Sequence, residues 1–521
     1  MSSSSRRSHA LDALRGYAIA TMILSATEAF SVLPRWMYHA QVPPPDHAFT
    51  PTVFGITWVD IIFPFFLFSM GAAIPLSLGR QHDKGAGLGR LAWKTVERWM
   101  KLTFFAIFII HAFPFMMGYG QDWLNMAVPM CAFLLLCLML IPNPFGLSRR
   151  GAAVLRWSAW IAATAVMLVQ PYAGGAPFRL TDSDCIMLIL ANVSLTGSLI
   201  YLLTIHRPWH RLALLPFIAA IFMSARTDGS WPALLTHTSF ASWLYNPAYQ
   251  EYLLIIIPGT VAGEWIAQWL KGEDNAKVVD NPKVVDNSKV VDNSKVVDNS
   301  SCFENPKVDG NPKVSDDLKV DGNSKADNCR NCPSWLVALL SLAIIVTNVV
   351  LLFGRHLTSN LIATIALCAL TSWLTRRNRS TDALTARFWQ HLSRAGSYLL
   401  LLGLCLEAYE GGIRKDDVTL SYLFVTCGLA FFALLLLTVL CDHYCLRWFS
   451  APLEAVGKNP MVAYVSSSMV VIPALTLTRL YPFIDTLSAH PLTGFLKGII
   501  LTALCMVLTA WFTHKRWFWK T

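Results

Sequence analysis

Two histidines and two carboxylates lie close together near the N-terminus, between two apolar stretches of the chain. His39, Asp46 and His47 fall within residues 34–55, and Asp60 opens the next apolar stretch. Histidine is the side chain best matched to proton transfer near neutral pH. The group predicts a histidine that acts either as a general base or as a nucleophile. The alternative is an ordinary loop, in which Asp60 only stabilises the start of a helix.

The segment that carries these residues is stiff and enters an apolar run directly. Three consecutive prolines, Pro43 to Pro45, favour an extended polyproline conformation, and residues 61–69 that follow Asp60 are almost wholly apolar. We therefore expect a loop of fixed shape at a membrane boundary, followed by a membrane-spanning helix.

The composition indicates a membrane protein. Hydrophobic residues make up 54% of the 521 residues and charged residues 14%, against about 25% charged in soluble proteins. A helix that crosses a bilayer needs about 20 apolar residues and satisfies its own backbone hydrogen bonds. We predict an all-α, polytopic transmembrane helical bundle with 11–14 spans, in which 211–224 and 395–409 are short. The candidate stretches are 12–33, 56–78, 98–118, 122–141, 152–170, 183–205, 211–224, 250–270, 334–354, 358–375, 395–409, 420–440, 458–478 and 494–514.

Lysine and arginine cluster between particular spans. The clusters lie at 80–101, 149–150 and 376–394, and with fourteen spans all fall on the side of both termini. Because such residues stay on the cytoplasmic side, we expect cytoplasmic termini in a bacterial inner membrane and an external loop 34–55. These clusters account for the net charge of +10 without a nucleic-acid partner.

A low-complexity segment divides the chain. Residues 273–332 contain degenerate hexapeptides of the type KVVDNS, with too few large apolar residues to build a core. We predict N-terminal membrane helices over 1–272, a disordered cytoplasmic linker over 273–332 and C-terminal membrane helices over 333–521.

Four motifs resemble one family of membrane enzymes. They are residues 11–16 (LDALRG), 47–48 (HA) with 55–68 (GITWVDIIFPFFLF), 456–464 (VGKNPMVAY) and, more weakly, 411–422 (GGIRKDDVTLSY). In this order they resemble the heparan-α-glucosaminide N-acetyltransferase family and its bacterial relatives, which include a branch with a domain of unknown function.

The resemblance implies an acyltransferase. It implies that acetyl-CoA, as co-substrate, reaches the protein from the cytoplasm and that the acetyl group passes to an amino sugar or glycan on the far side. The essential loop histidine then corresponds to His47, with His39 as the second candidate and Asp60 beside them. Asn459 is a candidate oxyanion donor. Arg15 and Trp58 are candidate contacts to acyl-CoA; no metal is expected.

Other interpretations of these residues stay open. Arg15 suits a phosphate of coenzyme A, but it also suits a simple pair with Asp12 at i, i+3. A secondary transporter of a small polar solute has a similar number of spans. A non-catalytic scaffold is a third hypothesis, and a homodimer is compatible with the sequence.

Overall fold

The described part of the chain is helical. The computed structural model describes residues 7–29, 32–237, 241–280, 334–377 and 381–519. This confirms the all-α fold class. The main helices are α1 (His9–Thr27), α2 (Ile62–Asp83), α3 (Leu88–His111), α4 (Asp122–Leu140), α5 (Arg149–Val169), α6 (Cys185–Leu203), α7 (Pro208–Ser224), α8 (Leu253–Asp280), α9 (Trp335–Phe353), α10 (Leu357–Arg377), α11 (Ala383–Glu410), α12 (Leu420–His443), α13 (Arg447–Lys458), α14 (Pro460–Leu477) and α15 (Pro491–His514).

Each of the fourteen predicted stretches coincides with a helix. Among the described residues, ten helices are long and apolar enough to cross a membrane, so the protein is a multi-pass membrane protein. Three more, α1, α3 and α11, have 19, 24 and 28 residues but carry charged residues. The prediction that 395–409 is short was wrong, because Arg387 and Arg394 interrupt the apolar pattern without interrupting the helix. Helix α7 is short, as expected.

Helix α8 extends beyond the apolar stretch from which it was predicted. Helix α8 continues to Asp280, eight residues into the predicted linker. The rest of that segment, residues 281–332, lies outside the described residues.

Helix α13 fixes the position of α1. A Cβ atom on Gly16 would collide with the backbone carbonyl of Leu453, and one on Gly457 would collide with that of Asp12. Two glycines therefore let the two backbones touch, as small residues do between membrane helices. This contact holds the start of α1 beside the break between α13 and α14.

Each end of the helical bundle is held together by its own set of contacts. At one end, which we call the terminal face, His9 Nδ1 lies 2.8 Å from Glu454 Oε2, and Thr513 Oγ1 donates to Ala455 O. Helix α13 thus contacts both the start of α1 and the end of α15. At the opposite end, the loop face, residues 32–61 pack on the connection from α11 to α12.

Candidate active site

The loop at 32–61 is fastened to the connection between α11 and α12. The Nε2 atom of Gln41 donates to Asp416 O at 2.9 Å, and Asp416 N donates back to Gln41 Oε1 at 2.8 Å. Further along, Gly55 N donates to Ile413 O at 2.8 Å. Gly55 has φ +110, a conformation that side chains disfavour. These bonds turn a long loop into a fixed wall at the loop face.

A histidine–aspartate pair lies in this wall. His39 Nδ1 is 2.7 Å from Asp60 Oδ1. The other carboxylate oxygen, Oδ2, accepts from Thr57 N at 2.9 Å, Thr57 Oγ1 at 3.1 Å and Ala40 N at 3.1 Å. Asp60 is 1% exposed, whereas the His39 side chain is 38% exposed. The pair is thus anchored on its acidic side and open on its imidazole side.

The contact with Asp60 is the basis for assigning the tautomer of His39. Burial alone would raise the pKa of Asp60, but its hydrogen bond to His39 and the nearby positive charges hold that pKa below its ordinary value of 3.8. An ionised carboxylate accepts hydrogen bonds, so we assign the proton to His39 Nδ1 on this basis. Nε2 is then the free acceptor nitrogen, which is the position of the base in a histidine–carboxylate catalytic pair.

Two residues from the second half of the chain complete the pair. Lys415 Nζ lies 3.1 Å from His39 Nδ1. Since an ammonium can only donate, this contact is not a hydrogen bond while Nδ1 carries the proton, and Lys415 acts on the pair through its positive charge, which faces the charge of Asp60. The hydroxyl of the buried Tyr422 donates to the Asp60 carbonyl at 2.7 Å. The positive charge of Lys415 is one of the causes that keep the pKa of Asp60 low.

His47 occupies a different environment in the same loop. Its ring packs edge-on against Tyr38 with ring centroids 4.7 Å apart, and its main-chain N donates to Pro43 O at 3.1 Å. The residue has φ +48 and ends the turn over residues 43–47 that contains the prolines. The sequence placed His47 ahead of His39 as the catalytic histidine; the structure brings His39 to Asp60.

A charged cavity of about 600 Å³ lies beyond the connection that carries Lys415, and neither His39 nor Asp60 is among its lining residues. We call it the outer cavity. Asp416 lines it, one residue after Lys415, and Tyr252 lines it from the turn before α8. Its charged lining residues are Arg226, Asp228, Glu251, Arg414, Asp416 and Asp417.

A second cavity lies toward the terminal face. Two neighbouring spaces of about 200 and 300 Å³ share Arg15 and Ala73 as lining residues, and we call them together the inner cavity. Four arginines line it against one acid, Asp12; they are Arg7, Arg15, Arg80 and Arg98. Arg15 Nη1 is 3.6 Å from Asp12 Oδ1, which is the i, i+3 pair foreseen for this arginine. The excess positive charge suits an anion, and guanidinium suits phosphate.

The first turns of α6 separate the two cavities. Cys185 and Ile189 line the outer cavity, whereas Met187 and Leu190 line the inner one. Since these residues alternate on two turns of one helix, the wall between the cavities is about one helix thick.

The wall is held by a polar contact at its edge. The hydroxyl of Tyr464, on α14, donates to the Asp184 carboxylate, 2.9 and 3.1 Å from its two oxygens. Asp184 also accepts from Met187 N at 2.9 Å and so caps α6. Tyr464 closes the motif at 456–464 and therefore acts on the helix that divides the two cavities.

The structure corrects the role expected for Asn459. Its Nδ2 donates to Thr513 Oγ1 and to Trp517 O, both at 3.1 Å, and its Oδ1 accepts from Trp519 N at 3.4 Å. Both amide hydrogens are used, so none is left for an oxyanion. The residue instead fastens the C-terminal segment beside the inner cavity, which it lines together with Arg15.

Arg15 and Trp58 lie at different depths. Trp58 is half-buried against Leu33, Met37 and Tyr38 at the loop face, and it is not among the residues that line the inner cavity. Arg15 Nη2 donates to Ser69 O on α2. Ser69 is nine residues after Asp60, a spacing of about 13 Å along a helix. The two predicted coenzyme contacts therefore do not form one subsite.

Several groups at the site escaped the sequence analysis. Lys415 and Tyr422 belong to the motif at 411–422, but nothing in the sequence connected them to Asp60. Arg98 was counted only as a topological charge, although it lines the inner cavity. Asp184 had no motif at all. Among the described residues, no three His, Cys, Asp or Glu side chains are grouped so as to hold a metal ion.

One family comparison gives a match. Residues 7–266 are similar to a domain of unknown function, DUF5009. No curated protein matches the chain.

The matched residues include only those parts of the site that come from the first half of the chain. It includes His39, Asp60, Arg15 and Arg98, together with α1 to α7 and the start of α8. Lys415 and Asn459 lie beyond it.

Proposed function

We propose that this protein is a transmembrane acyltransferase that moves an acetyl or other acyl group from acyl-CoA to an acceptor across the membrane. The observation that carries the proposal is the 2.7 Å contact between His39 Nδ1 and the buried carboxylate of Asp60. The outer cavity is linked to this pair through Asp416, which lines the cavity and follows Lys415 in the chain. The resemblance of the sequence motifs to membrane acetyltransferases agrees with it. The catalytic histidine in this proposal is His39, with Asp60 as its positioning residue.

The acyl donor binds in the inner cavity. Coenzyme A carries several phosphate charges, and the inner cavity combines four arginines with apolar walls such as Phe66 and Met70. The arginines lie near the terminal face, so the donor enters from there. This agrees with cytoplasmic termini and a bacterial inner membrane, as the lysine and arginine clusters indicate.

The reaction requires one proton to move twice. The amine or hydroxyl of the acceptor gives its proton to His39 Nε2 as it attacks the thioester carbonyl carbon. The carbon–sulfur bond then breaks, and the proton passes to the thiolate, so that free coenzyme A leaves. Asp60 holds the imidazolium that forms between these steps. Lys415 stabilises the negative charge on the carbonyl oxygen.

The wall at α6 sets a condition on this reaction. The thioester end of the donor must reach from the inner to the outer cavity, so the Asp184–Tyr464 contact has to open or the thioester arm has to pass beside it.

The test uses purified protein in nanodiscs with radiolabelled acetyl-CoA and a bacterial membrane extract as acceptor. We expect release of free thiol, coupled to label in the extract. His39→Asn should reduce this by about 10²-fold or more, in the range lost with a general base. His47→Asn, in the same loop, is the matched control and should retain most of the activity.

Two results would overturn the proposal. One is full transfer activity in His39→Asn together with loss of activity in His47→Asn, which would make His47 the general base. The other is the absence of thioester consumption together with protein-dependent uptake of a polar solute into vesicles, which favours a transporter.

A further inference from the structure

An apolar groove lies between α7 and α11. Its volume is about 580 Å³, and its walls come from α7, α8, α11 and α12. Lining residues include Ala219, Pro258, Ala395, Leu402 and Phe424. The size is that of a ligand site rather than of a packing defect.

The groove faces the region that lipid occupies. Trp209, Phe217 and Tyr398 are 78%, 70% and 68% exposed, and Trp209 and Tyr398 line the groove. No side chain of residues 214–224 is buried. In a protein that crosses a bilayer, such a surface contacts hydrocarbon, and an acyl chain fills it at no cost in polar contacts.

The end of the groove nearer the loop face meets the outer cavity. On α7, Met223 lines the groove, while its neighbour Phe222 lines the cavity. At the start of α12, Leu420 lines the groove and Val418 the cavity. Arg226 lies at this junction, donating to Val418 O at 2.8 Å and pairing with Glu410 at 3.2 Å.

The charges of the outer cavity are of both signs, with acids in excess. Arg226 and Arg414 line it together with four acids: Asp228, Glu251, Asp416 and Asp417. Guanidinium groups bind phosphate, and an excess of carboxylates attracts an ammonium group. A zwitterionic group with a phosphate near the groove and an amine nearer Asp416 matches this arrangement.

We infer that the acceptor is a phospholipid with a primary amine headgroup, which enters sideways from the bilayer. One of its chains lies in the groove, its phosphate contacts Arg226 at the junction, and its amine enters the outer cavity near Asp416, which follows Lys415 in the chain. The inference rests on the proposed acyltransferase activity and names its acceptor. The product is an amide: the amine nitrogen bonds to the acyl carbon, the thioester carbon–sulfur bond breaks, and the amine proton ends on the coenzyme A thiol.

The test compares three acceptors with the purified protein and radiolabelled acetyl-CoA. One set of vesicles contains phosphatidylethanolamine, a second contains only phosphatidylcholine, whose quaternary amine cannot be acylated, and a third is the second set supplemented with soluble glucosamine. We expect label in the lipid fraction of the first set alone, as N-acetylated lipid by mass spectrometry.

Two variants with a matched control test the groove. Ala219→Trp and Ala395→Trp fill the groove from opposite walls. The control is Ala220→Trp, because Ala220 is exposed on the same helix as Ala219 and does not line the groove. We expect lipid acylation to fall about tenfold or more in the first two, because one methylene in an apolar pocket already alters discrimination by roughly 10–200-fold. Ala220→Trp should resemble wild type, and binding of coenzyme A should be unchanged in all three.

The outcomes separate this inference from the proposed function. Transfer to glucosamine but not to phosphatidylethanolamine leaves an acyltransferase with a soluble acceptor and overturns the lipid acceptor. Lipid acylation that survives both groove variants, with coenzyme A binding intact, also overturns it. Absence of thioester consumption in every arm refutes the proposed function itself.

Discussion

Replacing Asp60 by asparagine separates the chemical role of the carboxylate from its structural one. In the native protein, Oδ2 accepts three hydrogen bonds from Thr57 and Ala40, and Oδ1 meets His39. In Asp60→Asn the amide oxygen can replace Oδ2 and keep those three bonds. The amide NH₂ then faces His39 Nδ1 and can only donate. His39 must accept at Nδ1, and its proton moves to Nε2.

The expected loss is large in activity and small in stability. With Nε2 protonated, His39 has no lone pair for the acceptor's proton; a histidine locked in the wrong tautomer by the same substitution in a catalytic triad loses about 10⁴-fold. The fold loses one charged hydrogen bond, which contributes about 1.5–3 kcal/mol. Asp60→Ala is different, since it leaves buried donors of Thr57 and Ala40 without an acceptor, at about 1–3 kcal/mol each.

The measurement combines thiol release from acetyl-CoA with thermal unfolding in the same detergent. Asp60→Asn should be nearly inactive with a melting temperature close to wild type, and Asp60→Ala should be inactive and clearly destabilised. Activity of Asp60→Asn within a few-fold of wild type would refute the tautomer argument, since the effect expected is about 10⁴. Equal destabilisation of both variants would show that the carboxylate is mainly structural.

Three further predictions concern neighbouring charges. Lys415→Met should lower the rate of transfer without changing the KM for acyl-CoA, because the ammonium acts beside His39; an unchanged rate removes it from the mechanism. Arg15→Met and Arg98→Met should each raise the Kd for coenzyme A about tenfold or more, measured by calorimetry, since a charged hydrogen bond contributes about 1.5–3 kcal/mol; exposed Lys94→Met on α3 is the control, and an equal effect there would contradict a specific site. The native pKa of Asp60 is lowered from 3.8, so its ionised form stabilises the loop above that pH and the gain is lost as pH falls through the native pKa. The difference in melting temperature between wild type and Asp60→Asn should therefore be constant near neutral pH and shrink in acid, and a difference that grows in acid would contradict the assigned shift.

Local features of the sequence were sufficient for the helices. A run of apolar residues long enough to cross the bilayer forms a helix wherever it lies, because hydrocarbon offers no other partner for the backbone. The fourteen stretches were found for this reason, and the errors fell where the pattern was mixed. Arg387 and Arg394 concealed the first turns of α11, and the polar residues after Gly272 concealed the last turns of α8. Similarly, Thr57 and Asp60 are three residues apart, so their contact could be foreseen as a local cap.

The composition of the site was decided by tertiary structure. His39 and His47 are equivalent by residue type, and what distinguishes them is how the loop folds: His39 meets Asp60 across 21 residues. Lys415 reaches His39 across 376 residues, which no local pattern encodes. Asn459 illustrates the converse. Its sequence position left the amide available as an oxyanion donor, but in the structure both amide hydrogens are donated, to Thr513 Oγ1 and Trp517 O. Residue types and short spacings are properties of the sequence, whereas which hydrogen bonds are formed depends on groups that come together only when the helices pack.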